Sequence, residues 1–433
     1  MKLLRKLRHA CVFALMGGLF LVPALSRAAT WVPDHTVLVI LENKSFQDFI
    51  GNADAPYLNR LAARGALMTR AYFAETPYAA TPTGFKHPLP SRGSQVNYLY
   101  LFSGNDQGMR PDWFEQPGSP YKGMVTHDQY GELLPEALSN VPKGLSNGHI
   151  PPALRPFATP NLGAAILATG RTYATFSEAL PYPAFDGATN NPPGTHDGYA
   201  RRHNPGINWI NLPDHAVPAA RRRFLLPLDT NLGFSATTAP DGSKYPGFAE
   251  NAESKPRSFA SLPTLAIVVP TNDDNAHTGS IASADAWLAK HIEPYVRWAQ
   301  AHNSLLVIQC DEDGFSDTSN GAGATDKVMA RMMAKANVGY QYGTDRILTL
   351  FVGPRGRVLP GKYDERVDHL NVLATLLDRY GALEAFRKDF FAVHVTGQPD
   401  PKLAAEGARE YMNLRPIVDI FGEGGALPTL PGR

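Results

Sequence analysis

The sequence predicts an α/β fold in which a central, mostly parallel sheet is sandwiched by helices. Three apolar runs without polar alternation, as in strands covered on both faces, carry this prediction: VLVILE at 37–42, TLAIVVP at 264–270 and LLVIQC at 305–310. Helical patterns lie between such strands, and this alternation builds parallel sheets. With 37 Pro and 38 Gly, the connecting segments predict long ordered loops at the carboxyl-terminal edge of the strands.

The first half of the chain starts with the strand at 37–42. The next element is a helix, with Asp54 as its N-cap, Pro56 in its first turn and Gly65 at its end. The next strand is predicted at 66–71. Further along lie an apolar segment at 94–104 behind a small polar cluster, a helix at 161–169 and a strand at 172–177.

The second half repeats the strand and helix alternation. Apolar residues at helical spacing predict a helix ahead of strand 305–310, with a kink at Pro294: Leu288, Ile292, Tyr295 and Ala299. Another strand is predicted at 348–354. The last helix starts behind Asp368 and ends at Gly381, and its core-facing residues are Val372, Leu373, Leu376 and Leu377.

Residues 1–28 have the pattern of a cleavable signal peptide. A basic start precedes an apolar stretch at 11–25, and Ser26-Arg27-Ala28 offers small residues for cleavage. The stretch is short and contains Gly and Pro, so stable membrane insertion is not expected. We therefore expect a periplasmic or secreted protein. Residues 29–433 are predicted to form a single α/β domain, with insertions at about 105–157, 206–260 and 314–345.

Charge and cysteine content exclude several classes of protein. The signal segment holds five of the 41 Lys and Arg and none of the 40 Asp and Glu, so the remaining chain has a net charge of −4. This balance gives no support for nucleic-acid binding. Cys310 is the single cysteine beyond residue 28, so no disulfide can form within the mature chain. The oligomeric state is left open.

Carboxylates follow two of the buried strands at the point where each ends. Asp311 and Glu312 come directly after strand 305–310, and Glu42 and Asn43 end strand 37–42. Ligands of open α/β sheets bind beyond the carboxyl ends of strands, and neighbouring carboxylates repel unless a cation separates them. The sequence therefore predicts one divalent metal ion here, with oxygen ligands favouring Mg²⁺, Ca²⁺ or Mn²⁺ and with Zn²⁺ left open.

A hydroxyl and three histidines complete the candidate site. Ser94 opens an apolar segment, His203 lies in a loop, His277 follows strand 264–270, and His369 opens a helix. The free backbone N–H groups at such a helix start favour an anion. Asp274 is an alternative to His277. Oxygen ligands for a cation, a nucleophilic hydroxyl and donor histidines together indicate phosphoryl transfer.

The chain resembles the bacterial phosphoesterase family of secreted acid phosphatases and phospholipases C, especially its branch of phosphatidylinositol-3-phosphatase-like acid phosphatases. Nine segments between about residues 37 and 381 carry the resemblance and occur in family order: VLVILENKSF, APYLNRLAARGALMTRAYF, SQVNYLYLFSG, TPNLGAAILATGRTYATFSE, YARRHNPGINW, DDNAHTGS, DAWLAKHIEPYVRWAQAHNSLLVIQCDED, TLFVGP and HLNVLATLLDRYG. The resemblance implies an alkaline-phosphatase-like fold with the metal at the strand ends.

The resemblance also implies roles for individual residues. By position, the metal ligands are Glu42, Asn43, Asp311 and Glu312. Ser94 stands in the place of the family's nucleophile, with its oxygen also on the metal. The phosphate and leaving-group contacts fall to His203, His277 and His369.

One position departs from the family pattern. The family has a His-Pro pair immediately before the nucleophile, where this chain has Arg92-Gly93. His87-Pro88 lies a few residues upstream, as if a small insertion had displaced it. Arg92 is the alternative phosphate contact, because a guanidinium binds phosphate through two parallel hydrogen bonds.

The function predicted is a metal-dependent hydrolase of phosphate monoesters that acts on a phosphorylated small molecule or lipid. Histidines that donate from both nitrogens would favour an acidic optimum. The alternative is a phospholipase C-type diesterase, whose apolar rim would come from loop aromatics: Trp113, Phe114, Tyr121, Trp209 and Phe234. A sulfatase is disfavoured because the Pro-x-Arg pattern is missing after Ser94. A non-catalytic binding protein on the same fold is the least favoured hypothesis.

Overall fold

A computed structural model of the 433-residue chain describes residues 31–76, 89–90, 94–107, 156–187, 189–191, 198–211, 216–253, 259–313, 346–399 and 401–422. The predicted signal peptide lies outside these residues. So do Arg92, His87 and most of the two predicted insertions at 105–157 and 314–345. Among the described residues, no helix combines the length and the apolar character that crossing a membrane requires.

Eight strands form the main sheet. They are β1 (Thr36–Leu41), β2 (Ala66–Ala71), β3 (Tyr173–Ser177), β4 (Asn231–Gly233), β5 (Leu265–Val269), β6 (Leu305–Cys310), β7 (Thr349–Val352) and β8 (Gly361–Val367). Their spatial order is β8-β2-β7-β6-β1-β5-β3-β4. β7 is antiparallel to both of its neighbours, and the other pairs are parallel. The predicted mostly parallel sheet is confirmed.

Helices and short turns connect the strands. The α-helices are α1 (Phe46–Phe49), α2 (Pro56–Ala62), α3 (Ser94–Ser103), α4 (Leu162–Ala168), α5 (Ala249–Glu253), α6 (Ile281–Trp287), α7 (Glu293–Ala301), α8 (His369–Arg379), α9 (Leu383–Phe390) and α10 (Pro401–Asn413). The described residues also form two π-helical turns (Leu288–Ile292 and Phe391–Val395) and five 3₁₀ turns (Arg201–His203, Gly206–Trp209, Ala219–Phe224, Leu228–Thr230 and Phe259–Ser261).

The sheet centre explains why the strands were readable from the sequence. Every residue of β1, β5 and β6 is buried, so apolar side chains cover both faces of these strands. In the pairing of β1 with β6, Leu41 lies opposite Cys310. The two strands therefore end side by side, and the residues that follow them must emerge at the same point of the sheet edge.

Two predicted helix features have a different cause from the one expected. Ala55, not Asp54, is the N-cap of α2, and the carboxylate of Asp285 accepts from the backbone N–H groups of Tyr57 (2.9 Å) and Leu58 (2.7 Å). The predicted kink before strand 305–310 is a π-helical turn, Leu288–Ile292, and Pro294 lies in the first turn of the α-helix that follows it. Proline has no N–H to continue the preceding ladder.

The segment 206–260 differs from the predicted insertion. It contributes the edge strand β4 to the main sheet, through pairs such as Phe176 with Leu232. A strand of only three residues shows no period in the sequence. Strand β8 was not predicted either, because its residues GKYDERV are mostly polar and exposed. The single domain over 29–433 stays a prediction.

Aromatic residues of this segment pack inward. Trp209 is fully buried, and its indole N–H donates to the carbonyl of Thr159 over 3.0 Å. Phe234 is buried as well and stacks on Phe248 with ring centroids 5.5 Å apart. Neither residue can belong to an apolar rim for a lipid. The other aromatics considered for that rim lie outside the described residues: Trp113, Phe114 and Tyr121.

Candidate active site at the carboxyl edge of the sheet

Two carboxylates meet where β1 and β6 end. Glu42 and Asp311 follow paired strand residues, and both side chains are buried, with exposures of 0% and 1%. Asn43 turns into the left-handed region with a φ of 43°. This conformation is unfavourable for most residues but tolerated by Asn. The backbone N–H of Asn43 donates to Asp311 Oδ1 over 2.9 Å, which fixes the two strand ends together.

Ser94 contacts Glu42 from the start of a helix. It is the first residue of α3, a helix whose ten residues are all buried and which packs along α8. The Ser94 hydroxyl donates to Glu42 Oε2 over 2.9 Å. The predicted nucleophile therefore lies in direct contact with a predicted metal ligand, 52 positions away in the chain.

Two of the three predicted histidines face the same glutamate. His277 Nδ1 lies 3.2 Å from Glu42 Oε2 and 3.0 Å from Asn43 Nδ2. His203 Nε2 lies 3.4 Å from Glu42 Oε1. One ligand atom from each of Glu42, His203 and His277 lies within 4.8 Å of the others, close enough to bind a common ion. Asp274, the alternative to His277, instead accepts from the Thr271 hydroxyl over 3.4 Å.

His369 joins the site by a different route. As the first residue of α8, it places Nε2 2.6 Å from the Asp311 carbonyl oxygen, so this nitrogen donates the hydrogen bond. Nδ1 is buried and lacks a hydrogen-bond partner among the described residues. Two of the N–H groups expected to be free for an anion at this helix start are occupied, because Asp368 accepts from those of Leu370 and Asn371.

Burial sets the ionisation of the site. It raises the pKa of Glu42 and raises the pKa of Asp311 well above its usual range, and the Glu42 charge adds to the latter shift. Burial also lowers the pKa of His203 well below its usual range, that of His277 to about 3 and that of His369 to about 4. Burial therefore favours the neutral form of these histidines in the metal-free site, whereas the sequence argument expected protonated histidines at acidic pH.

The site fits a divalent cation. Three oxygens are buried without a hydrogen-bond partner among the described residues: Glu42 Oε1, Asn43 Oδ1 and Asp311 Oδ2. Buried polar atoms of this kind cost free energy unless something satisfies them. The two imidazoles beside Glu42 add nitrogen ligands to the oxygen set that the sequence predicted. Imidazole nitrogen suits Zn²⁺, whereas carboxylate oxygen suits Mg²⁺, Ca²⁺ and Mn²⁺.

Glu312 and Tyr98 complete the surroundings. Glu312 is buried, and its backbone N–H donates to the Asp311 carboxylate, which opposes the rise in the pKa of Asp311. Its role as a metal ligand stays a prediction. Tyr98, which the sequence argument did not single out, stacks on His203 with ring centroids 5.5 Å apart and planes 14° apart. The sequence could have indicated Tyr98 through its position one helical turn after Ser94, on the same face of the helix.

This arrangement of a buried serine, paired carboxylates and histidines at a sheet edge is typical of enzymes that cleave phosphate esters. The sequence model of the Phosphoesterase family matches residues 249–383, which include His277, Asp311 and His369. The chain is 31% identical over 362 residues to the phosphatidylinositol-3-phosphatase of Mycobacterium tuberculosis (strain ATCC 25618 / H37Rv), with 83% of this chain and 82% of that protein covered. The chain belongs to the phosphoesterase family, as the resemblance implied.

Solved structures also match, at greater distance. A protein of the alkaline phosphatase superfamily from Vibrio parahaemolyticus has a TM-score of 0.40 and 10% identity, covering 81% of this chain and 67% of its own. The C-terminal periplasmic domain of EcEptC from Escherichia coli, in complex with Zn, has a TM-score of 0.37 and 12% identity, covering 81% and 83%.

Proposed function

We propose that the protein is an exported, metal-dependent phosphatase that hydrolyses phosphate monoesters with Ser94 as its nucleophile. The observation that carries the proposal is the 2.9 Å hydrogen bond from the Ser94 hydroxyl to Glu42. It places a buried hydroxyl in hydrogen-bond contact with a carboxylate that can accept the hydroxyl proton. Membership of the phosphoesterase family supports the same reaction class.

The reaction takes place in two displacements. The Ser94 oxygen bonds to phosphorus while the bond from phosphorus to the leaving oxygen breaks, and the serine proton passes to Glu42. The leaving oxygen takes up a proton from solvent as it departs. Water then attacks the phosphoserine and releases a proton to solvent, while the phosphorus–oxygen bond to Ser94 breaks and the serine oxygen takes back the proton held by Glu42.

The histidines and the metal ligands stabilise charge in both steps. His203 Nε2 and His277 Nδ1 lie 3.4 Å and 3.2 Å from Glu42, and an imidazole nitrogen that does not bind the ion can donate to phosphoryl oxygens. Glu42, Asn43 and Asp311, joined by Glu312 and Ser94 in the predicted set, would hold the divalent ion. When bound there, the ion supplies positive charge that favours the serine alkoxide and neutralises phosphate oxygens.

The charge around the site favours a monoester over a diester. A terminal phosphate carries more negative charge than a diester. Arg202 is buried beside the site, where its positive charge lowers the pKa of Glu42 and of both neighbouring histidines. Trp209 and Phe234, which the diester alternative would place in an apolar rim, are buried. The relative's name, phosphatidylinositol-3-phosphatase, makes a phosphorylated lipid or small molecule the proposed substrate class.

A pair of substrates tests this proposal. p-Nitrophenyl phosphate should be hydrolysed with a higher kcat/KM than p-nitrophenylphosphorylcholine, and exhaustive chelation should abolish the activity until a divalent ion is restored. A higher kcat/KM for the choline diester would establish the phospholipase C-type alternative. Hydrolysis of neither compound, with the ion present, would favour a binding protein. Full activity after chelation would refute the metal requirement.

Export is tested separately. Cleavage behind Ala28 would give a mature chain whose N-terminal sequence starts at residue 29. N-terminal sequencing of the protein recovered from the periplasm or the medium of an expressing bacterium measures this directly. Recovery of the uncleaved chain from the cytoplasm alone would contradict export.

A further inference from the structure

Lys44 lies two residues beyond Glu42 and has no part in the chemistry proposed above. Its ammonium group donates to the carbonyl oxygen of Ala276 over 2.6 Å. The side chain is largely withdrawn from solvent. A lysine so placed loses hydration and rotamer freedom, and its contacts must offset this cost in free energy. Ala276 immediately precedes His277.

The turn that carries His277 has an unfavourable backbone. Ala276 is fully buried and has a φ of 76°, a left-handed conformation that residues with a Cβ rarely adopt. Such a conformation persists only when its surroundings hold it. Asn275 provides part of that support, because its side-chain oxygen accepts from the His277 N–H over 2.8 Å and its own N–H donates to the Thr271 carbonyl over 2.8 Å.

The end of β1 provides the rest through three successive residues. The backbone N–H of Glu42 donates to the Asn275 carbonyl over 2.9 Å. The Asn43 amide nitrogen lies 3.0 Å from His277 Nδ1. Lys44 contacts Ala276, the residue with the strained backbone that lies between Asn275 and His277. The position of the His277 ring relative to Glu42 thus depends on contacts between 42–44 and 275–277.

We propose that Lys44 is a positioning residue, which holds the strained turn at Ala276 and thereby keeps His277 against Glu42. The kinetic side of this inference rests on the proposed phosphatase function. The structural side does not, because the conformation of the turn can be measured without substrate.

Four variants and a control test the kinetic side. Lys44→Met removes the donor and keeps the apolar stem, and we expect kcat to fall roughly 10- to 100-fold with KM changed less than about threefold. Lys44→Arg keeps a donor and should retain most of the activity. Ala276→Gly tolerates the positive φ without help, so Lys44→Met combined with Ala276→Gly should regain much of the lost kcat. Ala276→Gly alone should be near wild type, as should Lys290→Met, which changes an exposed lysine.

Hydrogen exchange of the segment 271–279, followed by mass spectrometry, tests the structural side. Exchange should be faster in Lys44→Met, and the added Ala276→Gly change should slow it again. Wild-type exchange in Lys44→Met, or a double variant that recovers neither exchange nor kcat, would overturn the proposal. Should Lys44→Met not fold, Lys44→Gln replaces it, and an unchanged kcat and exchange there would be equally decisive. A wild-type chain inactive on all phosphate esters would refute the function, while the exchange data would still decide the role of Lys44.

Discussion

Replacing Asp311 with Asn should stabilise the metal-free protein and yet abolish its turnover. Asp311 and Glu42 are buried side by side, and the Glu42 charge raises the pKa of Asp311 further than burial alone does. Two unit charges about 4 Å apart repel by ~4 kcal/mol at an effective dielectric constant of about 20. Partial protonation of the two carboxylates reduces this repulsion. Asn can still accept the hydrogen bond from the Asn43 N–H, so the hydrogen-bonding cost is small.

Urea denaturation with chelator at about pH 8 measures the effect. We expect the free energy of unfolding of Asp311→Asn to exceed that of the wild type by about 1 to 3 kcal/mol. A divalent ion at about 100 times its Kd should then stabilise the wild type by ~2.7 kcal/mol and the variant by much less, which reverses the order. Lower stability of the variant in chelator, or equal stabilisation of both chains by the ion, would refute the reasoning.

Three further predictions concern the pH dependence of this effect and two hydrogen-bonded side chains elsewhere in the fold. In chelator, the advantage of Asp311→Asn should grow as the pH rises above about 4, the ordinary pKa of an Asp carboxyl, because the raised pKa makes the folded wild type hold a proton that its unfolded chain loses; an advantage that shrinks with rising pH would contradict this. Asp285→Ala removes the cap from the N–H groups of Tyr57 and Leu58 and should cost about 1–3 kcal/mol in urea denaturation with kcat unchanged. Ser103→Ala removes a bond to the Leu99 carbonyl and should cost ~1 kcal/mol, with kcat within a few-fold of the wild type.

The sequence was sufficient for the parts of the site that follow buried strands. β1 and β6 are covered on both faces, so their apolar runs are unbroken and their ends are sharp. The residues just beyond, Glu42 and Asp311, then had to lie at one sheet edge. The roles of Ser94 and His203 depended on family resemblance, because α3 is buried all round and shows no periodicity that separates its functional face.

Contacts between distant residues could not be predicted. Asp285 caps α2 from more than 220 positions away, whereas the sequence offered the adjacent Asp54. Asp368 was expected to cap α8, and it does. The same bonds occupy N–H groups that His369 was expected to share with an anion. The inward packing of Trp209 similarly depends on tertiary neighbours that a loop's composition does not reveal.

The covalent step through Ser94 is the central claim, and trapping the enzyme during turnover tests it most directly. Wild-type protein quenched in acid while hydrolysing p-nitrophenyl phosphate should yield, after digestion and mass spectrometry, a peptide phosphorylated at Ser94. Ser94→Ala should give no phosphopeptide and lose roughly 10³-fold or more in kcat. A phosphoryl group on another residue, or a Ser94→Ala variant with near wild-type turnover, would contradict the account.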